Sequence, residues 1–376
     1  MQSNKKKILI TIPSLKKDPG GVARYYNAIL PYLYKSNNFE IEIFEIGSTH
    51  GKKVFFHPII DQIKFMRKIS VIKPDIIHIN PSLNFKSFIR DALFIYWAKR
   101  QKKQVIVFFH GWEKKFAKKI QGILKKIFNL TYKKADAFIV LASEFRSKLR
   151  LLKIDKPVHI LTTAVDELLV ESFSIEKKIE RIKSSQTIRL LFLSRLEKEK
   201  GIFETIDAFK LLLDERYDIA LSIAGDGSIT KEIYGYIDQL GLSNNIDMLG
   251  YVKEGKKIQA FTEHDIYCFP TYYGEGMPTS ILEAMALGMP IITRPVGGIN
   301  DFFETYKMGY LCETTKPYDI AESIKKMICD KKRICDTAQY NYRYAKKHFM
   351  APIVADKLLN IYLNTSSHDR SCYYKT

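Results

Sequence analysis

Short, strongly apolar runs recur along the chain, and each is followed by a segment of helical character. The first half contains Asp75–Asn80 (DIIHIN) and Val105–His110 (VIVFFH), and the second half contains Ile188–Leu193 and Ile219–Ala224. Runs of this length without polar alternation are typical of parallel strands covered on both faces. Because the strands alternate with helices, the sequence predicts an α/β protein with open parallel sheets.

This alternation is interrupted once and then restarts. A polar stretch over Asp166–Thr187 has no sustained apolar period beyond one short helical segment, and we interpret it as a linker. The sequence therefore predicts two Rossmann-like domains in tandem, an N-terminal one over 1–170 and a second over 171–364. The last helix is able to pack back on the first domain, and residues 365–376 are predicted to form a flexible tail. In such sheets ligands bind beyond the carboxyl ends of the strands.

The charge of the chain is unevenly divided. Residues 1–170 contain 32 Lys and Arg against 13 Asp and Glu, whereas residues 171–376 contain 28 of each, so the net charge of +19 belongs to the first half. A basic half of this kind indicates an anionic partner surface.

No apolar run approaches the roughly 20 residues that span a bilayer, and we expect a cytoplasmic protein. The 5 cysteines form no CxxC pair, which favours reduced thiols over a disulfide framework or a zinc site.

The densest group of candidate residues lies over Thr271–Asp301, where a glycine-rich loop leads into a helix. Pro278 suits the first turn of that helix because its missing N–H would have no partner there, and Gly288 ends the helix. A helix N-terminus after such a loop is a ready anion site. Glu275 in the loop can accept hydrogen bonds from sugar hydroxyls, and Glu283 on the helix can hold the two hydroxyls of a ribose.

Two glutamates eight residues apart are also compatible with ordinary surface charges, and Glu283 with a simple helix former. Their position among Gly274, Gly276 and Gly288, shortly before a further glycine pair, favours ligand binding instead, because glycine permits close approach of a ligand to the backbone.

The segment EGMPTSILEAMALGMPIITRPVGGIND, residues 275–301, resembles the signature of the retaining glycosyltransferases of family 4, which have the GT-B fold. Other segments resemble that family in order and spacing up to about residue 364. They are Gly20-Gly21-Val22 with Arg24, Phe109–Gly111, Leu191–Gly201, Ile223–Gly227 and Leu249–Val252. The resemblance implies two Rossmann-like domains whose parallel sheets face a central cleft. One departure is Thr163-Ala164-Val165-Asp166, where the family often has an Asn-Gly-Val-Asp turn.

The resemblance also implies roles for the matching residues. Arg195 and Lys200 would bind the donor diphosphate and offset its charge as it leaves. His110 and Glu275 would contact the donor sugar and complete the predicted catalytic set. The predicted donor-binding residues are Gly20, Gly21, Gly225, Asp226, Val252, Gly276, Met277, Pro278, Thr279 and Glu283. Without the resemblance, the two cations fit a solvated charged loop, the first glycines a tight turn, and the lone histidine a structural role.

The reaction implied by the resemblance is retaining transfer of a hexose or N-acetylhexosamine from a UDP- or GDP-sugar. The expected acceptor is a polyprenyl-diphosphate-linked oligosaccharide in surface polysaccharide synthesis. The sequence contains no Asp-x-Asp triplet, through which transferases of the other main nucleotide-sugar fold bind a divalent metal, so we expect neither a metal nor another cofactor. Because no residue is recognisable as a covalent nucleophile, we expect front-face attack assisted by the departing phosphate.

Residues 113–134 combine lysine pairs with apolar residues at helical spacing. The pattern is typical of a basic amphipathic helix on an anionic membrane, and predicts peripheral attachment at the inner face of the cell membrane. A core-packed helix with a solvated basic face fits as well, and Gly122 interrupts the period.

Three other functions stay open: a nucleotide-sugar epimerase on the same fold, a catalytically inactive binding protein, and a basic nucleic-acid-binding or membrane-binding protein. Since no nucleic-acid-binding motif is recognisable, we expect no nucleic-acid partner.

Overall fold

The computed structural model describes residues 5–15, 20–47, 57–82, 84–274 and 276–366, apart from the side chains of residues 57, 58, 114 and 115. Glu275 and residues 367–376 of the predicted tail lie outside the described residues. The chain divides into two units. The first combines Met1–Ala164 with Ala351–Thr376, and the second is Val165–Met350.

Each unit contains a six-stranded sheet in which all neighbouring strands run parallel, so the predicted α/β class with two parallel sheets is confirmed. The first sheet has the strand order β2-β1-β3-β4-β5-β6 and the second β12-β11-β10-β7-β8-β9. The strands of the first sheet are β1 (Lys6–Pro13), β2 (Phe39–Ile46), β3 (Ile76–Ile79), β4 (Gln104–Phe109), β5 (Ala137–Val140) and β6 (Val158–Ile160). Those of the second are β7 (Ile188–Leu193), β8 (Ile219–Ala224), β9 (Ile246–Gly250), β10 (Ile266–Phe269), β11 (Ile291–Thr293) and β12 (Gly309–Leu311).

Helices alternate with these strands in both units. Those before the second sheet are α1 (Gly21–Leu33), α2 (His57–Ile72), α3 (Phe85–Arg100), α4 (Lys114–Gln121), α5 (Lys125–Leu130), α6 (Ser143–Leu151) and α7 (Ile175–Ser184). The later ones are α8 (Ile202–Asp214), α9 (Thr230–Gln239), α10 (Glu254–Glu263), α11 (Thr279–Ala286), α12 (Pro317–Ile328), α13 (Lys331–His348) and α14 (Ala351–Ser366). Central strands are buried on both faces, as the four buried residues of β3 show.

The polar stretch interpreted as a linker contains a packed helix instead. Helix α7 is capped by the Ser174 side chain, which accepts a hydrogen bond from the N–H of Lys177, and it packs within the second unit. Its inner face is formed by Ile175, Lys178 and Ile182, all buried. The short helical segment expected here is thus a packed helix of the second unit, and the interpretation of the stretch as a linker was wrong because one of the three core positions is a lysine.

The basic segment 113–134 forms two short helices rather than one. The chain leaves helix α4 through a turn at Gly122 and re-enters a helix at α5. The apolar positions Phe116, Ile120, Leu124 and Phe128 are all at most 4% exposed and belong to the aromatic core of the first unit. This apolar face is therefore core-packed. No helix in the described part of the chain is long and apolar enough to cross a bilayer.

Candidate functional site

In the second unit, four neighbouring parallel strands end at the same edge of the sheet, and the loops that follow them carry predicted site residues. Arg195 and Lys200 follow β7, and the pair Gly225-Asp226 follows β8. Val252 follows β9, and the segment from Gly276 to Glu283 comes after β10. The topology thus brings residues that are far apart in sequence to one edge, as the position of ligand sites in open α/β sheets requires.

Lys200 is buried where the loop after β7 meets the loop after β10. Only 6% of its surface is exposed, and its Nζ lies 4.2 Å from the centre of the Tyr273 ring. The carbonyl oxygen of Glu199 accepts hydrogen bonds from the backbone N–H groups of Tyr272 and Tyr273 at 3.0 and 3.1 Å. Lys200 is therefore held next to the residues that directly precede Glu275.

The glycine after Lys200 has a steric reason to be glycine. Gly201 has a φ of +83°, and a Cβ there would lie 2.6 Å from the carbonyl oxygen of Pro270, at the end of β10. This close backbone contact brings the two loops together. The start of α8 immediately behind Lys200 is thereby fixed.

Arg195 has the opposite environment to Lys200. Its side chain is 68% exposed, and its Nη1 lies 2.9 Å from a carboxylate oxygen of Glu197 on the same loop. The loop therefore presents one exposed guanidinium and one buried ammonium five residues apart in sequence. An exposed, delocalised guanidinium is suited to a phosphate because its donors form a planar fork.

The turn Gly225-Asp226-Gly227 packs directly against the backbone that carries Arg195. A Cβ at Gly225 would lie 1.9 Å from the carbonyl oxygen of Ser194, and one at Gly227 would lie 2.2 Å from that of Leu196. The N–H of Leu196 donates to the carbonyl oxygen of Asp226 at 3.0 Å. These glycines therefore support the Arg195 loop, a role that the sequence did not reveal.

The Asp226 side chain stabilises its own turn. Its Oδ1 accepts hydrogen bonds from the hydroxyl of Thr230 and the N–H of Gly227, both at 2.8 Å, and these bonds lower the pKa of the carboxyl group. In the next loop, half-buried Val252 stands between Tyr251 and Lys253, whose Nζ lies 4.9 Å from the centre of the Tyr251 ring.

The glycine-rich segment before α11 is fixed by backbone and side-chain contacts. The carbonyl oxygen of Gly276 accepts a hydrogen bond from the N–H of Gly298 at 2.8 Å, and Met277 is 8% exposed. Pro278 occupies the residue just before the helix, one position earlier than predicted, and the helix begins at Thr279. This segment therefore has a fixed backbone directly before the helix.

The first turn of α11 is tied to the end of β7 through a tyrosine. The hydroxyl of Tyr267 donates to the carbonyl oxygen of Leu193 at 2.7 Å and shares a hydrogen bond of 2.8 Å with the hydroxyl of Ser280. The first turn of the helix is thus positioned relative to the strand that leads to Arg195.

Glu283 lies on α11 with 14% of its side chain exposed, and it is paired with a lysine that the sequence did not single out. Nζ of Lys257, on α10, donates to its Oε1 at 2.6 Å. The pair fixes one carboxylate oxygen. The only signal for Lys257 is the Lys256-Lys257 doublet, which is indistinguishable in sequence from a solvated helix face.

In the first unit, His110 follows β4, and its side chain is held by the ring of Phe108 and the side-chain amide of Asn80. Its imidazole stacks on Phe108 at a centroid distance of 3.8 Å, and its Nε2 lies 2.8 Å from Oδ1 of Asn80. The amide orientation of Asn80 is fixed because its Nδ2 donates to the carbonyl oxygen of Thr11 at 2.7 Å. His110 must therefore donate from Nε2, which leaves the lone pair on Nδ1.

A buried polar network continues behind His110. The Tyr26 hydroxyl donates to the same Oδ1 of Asn80 at 3.0 Å, and it lies 3.4 Å from Nε2 of His78. Nδ1 of His78 lies 2.6 Å from the hydroxyl of Tyr362 on α14. The pKa of each histidine is lowered to about 3, by burial in His78 and by burial together with the neighbouring His78 in His110. Both rings are consequently neutral near pH 7.

The residues of this network differ in how clearly the sequence indicates them. His78 is visible as a histidine inside an otherwise apolar strand, and Asn80 ends the same run. Nothing in the sequence indicates a role for Tyr362, because its partner His78 is 284 residues away along the chain.

Gly20 and Gly21 lie at the start of α1, whose Tyr25 contributes a ring 5.3 Å from that of His110. Neither glycine has a positive φ, and a Cβ at either position would meet nothing within 4 Å. Neither the backbone conformation nor the packing of the described residues therefore requires glycine at these positions.

The predicted site residues thus form two groups, one on each unit. The first unit carries Gly20, Gly21 and His110. The second carries Arg195, Lys200, Gly225, Asp226, Val252, Gly276, Met277, Pro278, Thr279 and Glu283. Over the described ranges, no group of three or more His, Cys, Asp or Glu side chains is placed to hold a metal ion.

Comparison with known proteins matches each half of the chain to a family of glycosyltransferases. Residues 19–167 match the family described as Glycosyltransferase Family 4, and residues 174–348 match Glycosyl transferases group 1. An uncharacterized glycosyltransferase of Methanocaldococcus jannaschii is 27% identical over 82% of this chain and 86% of its own length. The capsular polysaccharide biosynthesis glycosyltransferase CapM of Staphylococcus aureus is 26% identical over 52% of this chain and 51% of its own length.

Two solved structures share the fold at low identity. HepE of Anabaena, in complex with UDP and glucose, matches with a TM-score of 0.70 and 16% identity over 95% of this chain and 99% of its own. A glycosyltransferase from Rickettsia africae matches with a TM-score of 0.72 and 19% identity over 97% and 100%. Both sequence families, which together span most of the chain, and the shared two-sheet architecture lead to one assignment: the chain belongs to family 4 of the glycosyltransferases and has the GT-B fold.

Proposed function

We propose that the protein transfers a hexose or N-acetylhexosamine from a UDP- or GDP-sugar to a glycan acceptor, with retention of anomeric configuration. The acceptor is a polyprenyl-diphosphate-linked oligosaccharide, and the product enters surface polysaccharide synthesis. A relative named for capsular polysaccharide biosynthesis and a fold neighbour that binds UDP and glucose support this choice.

The observation that carries the proposal is the arrangement at the carboxyl edge of the second sheet. Arg195 is exposed, and Lys200 is buried beside the loop after β10, so two cations lie at the edge of the sheet where the diphosphate of a donor would bind. A cation in a low-dielectric site stabilises developing negative charge more strongly than one in water. Glu283, with one oxygen held by Lys257, is suited to grip the ribose hydroxyls with the other.

His110 and Glu275 complete the proposed catalytic set. Because the pKa of His110 is about 3, its ring is neutral and does not act as a general acid near pH 7. It contacts the donor sugar through hydrogen bonding, and the departing phosphate takes the proton of the attacking hydroxyl in a front-face reaction. Gly20 and Gly21 leave their backbone open to the donor phosphates.

Thermal unfolding in the presence of UDP, GDP and their common sugars tests the donor assignment. A ligand at 100 times its Kd stabilises the folded protein by about 2.7 kcal/mol, so the cognate nucleotide raises the Tm measurably. Release of free UDP or GDP from the matching donor then separates a transferase from a binding protein. If no nucleotide raises the Tm of the wild-type protein, the proposal is wrong.

We propose that the transfer needs no metal, since Arg195 and Lys200 can offset the diphosphate charge. Activity is expected to survive a chelator. Loss of activity with a chelator, followed by recovery on addition of Mn²⁺, contradicts this part of the proposal.

We further propose that the protein attaches peripherally to the inner face of the cell membrane through segment 113–134. Phe116, Ile120, Leu124 and Phe128 are used by the core, so we propose that the contact is mainly electrostatic. Lys118, Lys119, Lys125 and Lys126 are exposed, and Ile123 between them is 85% exposed. Basic side chains contribute on the order of 1 kcal/mol each at an anionic bilayer surface.

A further inference from the structure

The buried polar network behind His110 has a single direction. Nε2 of His110 and the Tyr26 hydroxyl both donate to Oδ1 of Asn80, at 2.8 and 3.0 Å. Because the Tyr26 proton is used there, the 3.4 Å contact between Tyr26 and Nε2 of His78 assigns the histidine as its donor. Nδ1 of His78 is then an acceptor, and the Tyr362 hydroxyl, 2.6 Å away, donates to it. All donations in this network therefore run toward Asn80.

Asn80 is the residue that fixes this direction. It is 6% exposed, and its Nδ2 donates to the carbonyl oxygen of Thr11 at 2.7 Å, so a reversed amide would place two oxygen atoms in contact. Its backbone N–H lies 3.3 Å from the hydroxyl oxygen of Thr11, which is itself fully buried. Oδ1 of Asn80 is consequently held as an acceptor that faces His110.

The His110 ring has a fixed orientation and one unused nitrogen. It stacks on Phe108 and meets the rings of Tyr25 and Tyr26 edge-on, at centroid distances of 5.3 and 6.2 Å. Nδ1 of this half-buried ring makes no hydrogen bond within the described part of the chain. With the proton on Nε2, Nδ1 has a lone pair and no hydrogen. His110 is therefore able to accept a hydrogen bond at Nδ1 but not to donate one.

The titratable groups that face His110 are neutral near pH 7. Burial raises the pKa of Tyr25 and Tyr26 on α1 and lowers the pKa of His78 on β3 to about 3. The pKa of His110 itself is about 3, so its ring carries a single proton across the neutral range. The nitrogen that carries this proton is consequently decided by the hydrogen bond to Asn80.

We infer that Asn80 is a positioning residue for the transfer reaction: it holds the proton of His110 on Nε2, so that Nδ1 accepts a hydrogen bond from one hydroxyl of the donor sugar. The inference rests on the proposed transferase function. It adds a condition on the substrate, because the contacted ring position must carry a group that donates a hydrogen bond. A donor sugar with hydrogen, fluorine or a carboxylate at that position loses the contact.

NMR of the full chain with isotope-labelled histidine tests the positioning role before any ligand is added. The chain has 8 histidines, and the His110 signals are assigned by their loss in His110→Gln. In the wild type at neutral pH, Nε2 is expected to show the nitrogen shift of a protonated ring nitrogen, and Nδ1 that of an unprotonated one.

Asn80→Asp changes the proton count of the ring in a predictable way. The new carboxylate raises the pKa of His110, so both ring nitrogens become protonated as the pH falls through the raised value. Asn84→Asp is the matched control, because Asn84 is exposed and caps α3, a role that aspartate also fills. The control is expected to keep the wild-type signals of His110.

Donor analogues with fluorine test the contact with the substrate. The probes are UDP-glucose, UDP-N-acetylglucosamine and GDP-mannose. The one that raises the Tm most is compared with analogues in which fluorine replaces one sugar hydroxyl at a time. Fluorine donates no hydrogen bond, so one analogue is expected to bind the wild type about tenfold more weakly than its parent, independently of pH near neutrality. In Asn80→Asp this preference should shrink as the pH falls, since a protonated Nδ1 does not require a donor.

A wild-type ring with its proton on Nδ1 would overturn the inference, and this result does not depend on the folding of any variant. The inference is also wrong if every fluorinated analogue binds the wild type as tightly as the parent does. The same conclusion follows if the fluorine effect stays unchanged in Asn80→Asp while the ring is protonated. If no nucleotide-sugar raises the Tm, the proposed transferase function fails, whereas the proton position in the free protein still decides the role of Asn80.

Discussion

Glycines in the two predicted donor loops are glycine for different physical reasons. Gly225 has a φ of +147° and no room for a Cβ, whereas an added Cβ at Gly20 meets nothing within 4 Å. The first is required by the fold. The second is not required by the fold, which is compatible with the proposed close approach of a donor to this backbone.

Alanine substitution separates these two reasons. Gly225→Ala is expected to cost more than about 2 kcal/mol of unfolding free energy, because the backbone is strained and a contact of 1.9 Å must open. Gly20→Ala is expected to leave stability equal or slightly higher but to weaken binding of the nucleotide-sugar. Thermal unfolding with and without the donor measures both effects. Equal loss of Tm in the two variants would show that Gly20 is also structural.

His78, which is fully buried, and the half-buried His110 make the first unit sensitive to acid. Their pKa values of about 3 in the folded protein lie below the ordinary value of 6.5, so between these pH values the unfolded chain binds more protons. Stability is therefore full above the unfolded pKa and is lost as the pH falls from about 6.5 toward 3.

His78→Gln isolates this effect from the titration of carboxylates. Glutamine keeps a donor and an acceptor for Tyr26 and Tyr362 but does not titrate. We expect the free energy of unfolding to fall less steeply with decreasing pH in the variant, by up to about 1.4 kcal/mol per pH unit for one proton. Urea unfolding at a series of pH values measures the slope. Parallel curves for variant and wild type would exclude the buried histidine as a cause.

At the scale of single elements, helix α7 shows how a lysine can occupy a core position. Nζ of Lys178 donates to the carbonyl oxygens of Phe261 and Leu287 at 2.8 and 2.9 Å, near the ends of α10 and α11. Carbonyl groups at a helix end have no partner within the helix. Burial lowers the pKa of this lysine well below its usual range, so these contacts offset a desolvation cost.

Lys178→Met is predicted to destabilise the second unit although it removes a buried charge. Two carbonyl groups lose their hydrogen-bond partner, which destabilises the folded unit by about 1–3 kcal/mol for each group. Removal of the lysine's desolvation cost offsets part of this loss. A net loss of roughly 2 kcal/mol in urea unfolding is the expected outcome. Lys177→Met, at the exposed neighbouring position, is the control and should change stability by less than about 0.5 kcal/mol. An unchanged or higher stability of Lys178→Met contradicts the assigned role.

Elements were predictable from sequence where one physical rule dominated. The runs at Ile188–Leu193 and Ile219–Ala224 are strands β7 and β8 with the same bounds, because buried parallel strands need unbroken apolar runs. Helix α7 was foreseen only as a short helical segment of a linker, and Gly122 only as an interruption of the period, since the packing of both segments depends on which side chains find a tertiary partner. The same limit applies to the site. Loops at strand ends could be foreseen, but Lys257 and Tyr362 became visible only through their partners.

For the molecule as a whole, the excess of basic residues in the first half calls for a test of the proposed membrane attachment. Replacement of Lys118, Lys119, Lys125 and Lys126 by glutamine should strongly reduce co-sedimentation with anionic vesicles, and added salt should weaken binding of the wild type. The control variant removes the same charge from the second unit. It replaces by glutamine four exposed lysines, Lys231, Lys256, Lys316 and Lys332. Equal binding of both variants, or equal binding of the wild type to neutral vesicles, contradicts an electrostatic contact through this segment.

Helix α14 has a consequence for how the protein is made. It follows the entire second unit in sequence, yet its Tyr362 hydroxyl meets His78 and its ring lies 5.8 Å from that of Phe39 in the first unit. On the ribosome, domains generally fold in order of emergence. Here the first unit emerges early but lacks one of its helices until the whole second unit has been translated. The polar network behind His110 is therefore completed last, and a nascent chain stalled before residue 351 cannot assemble it.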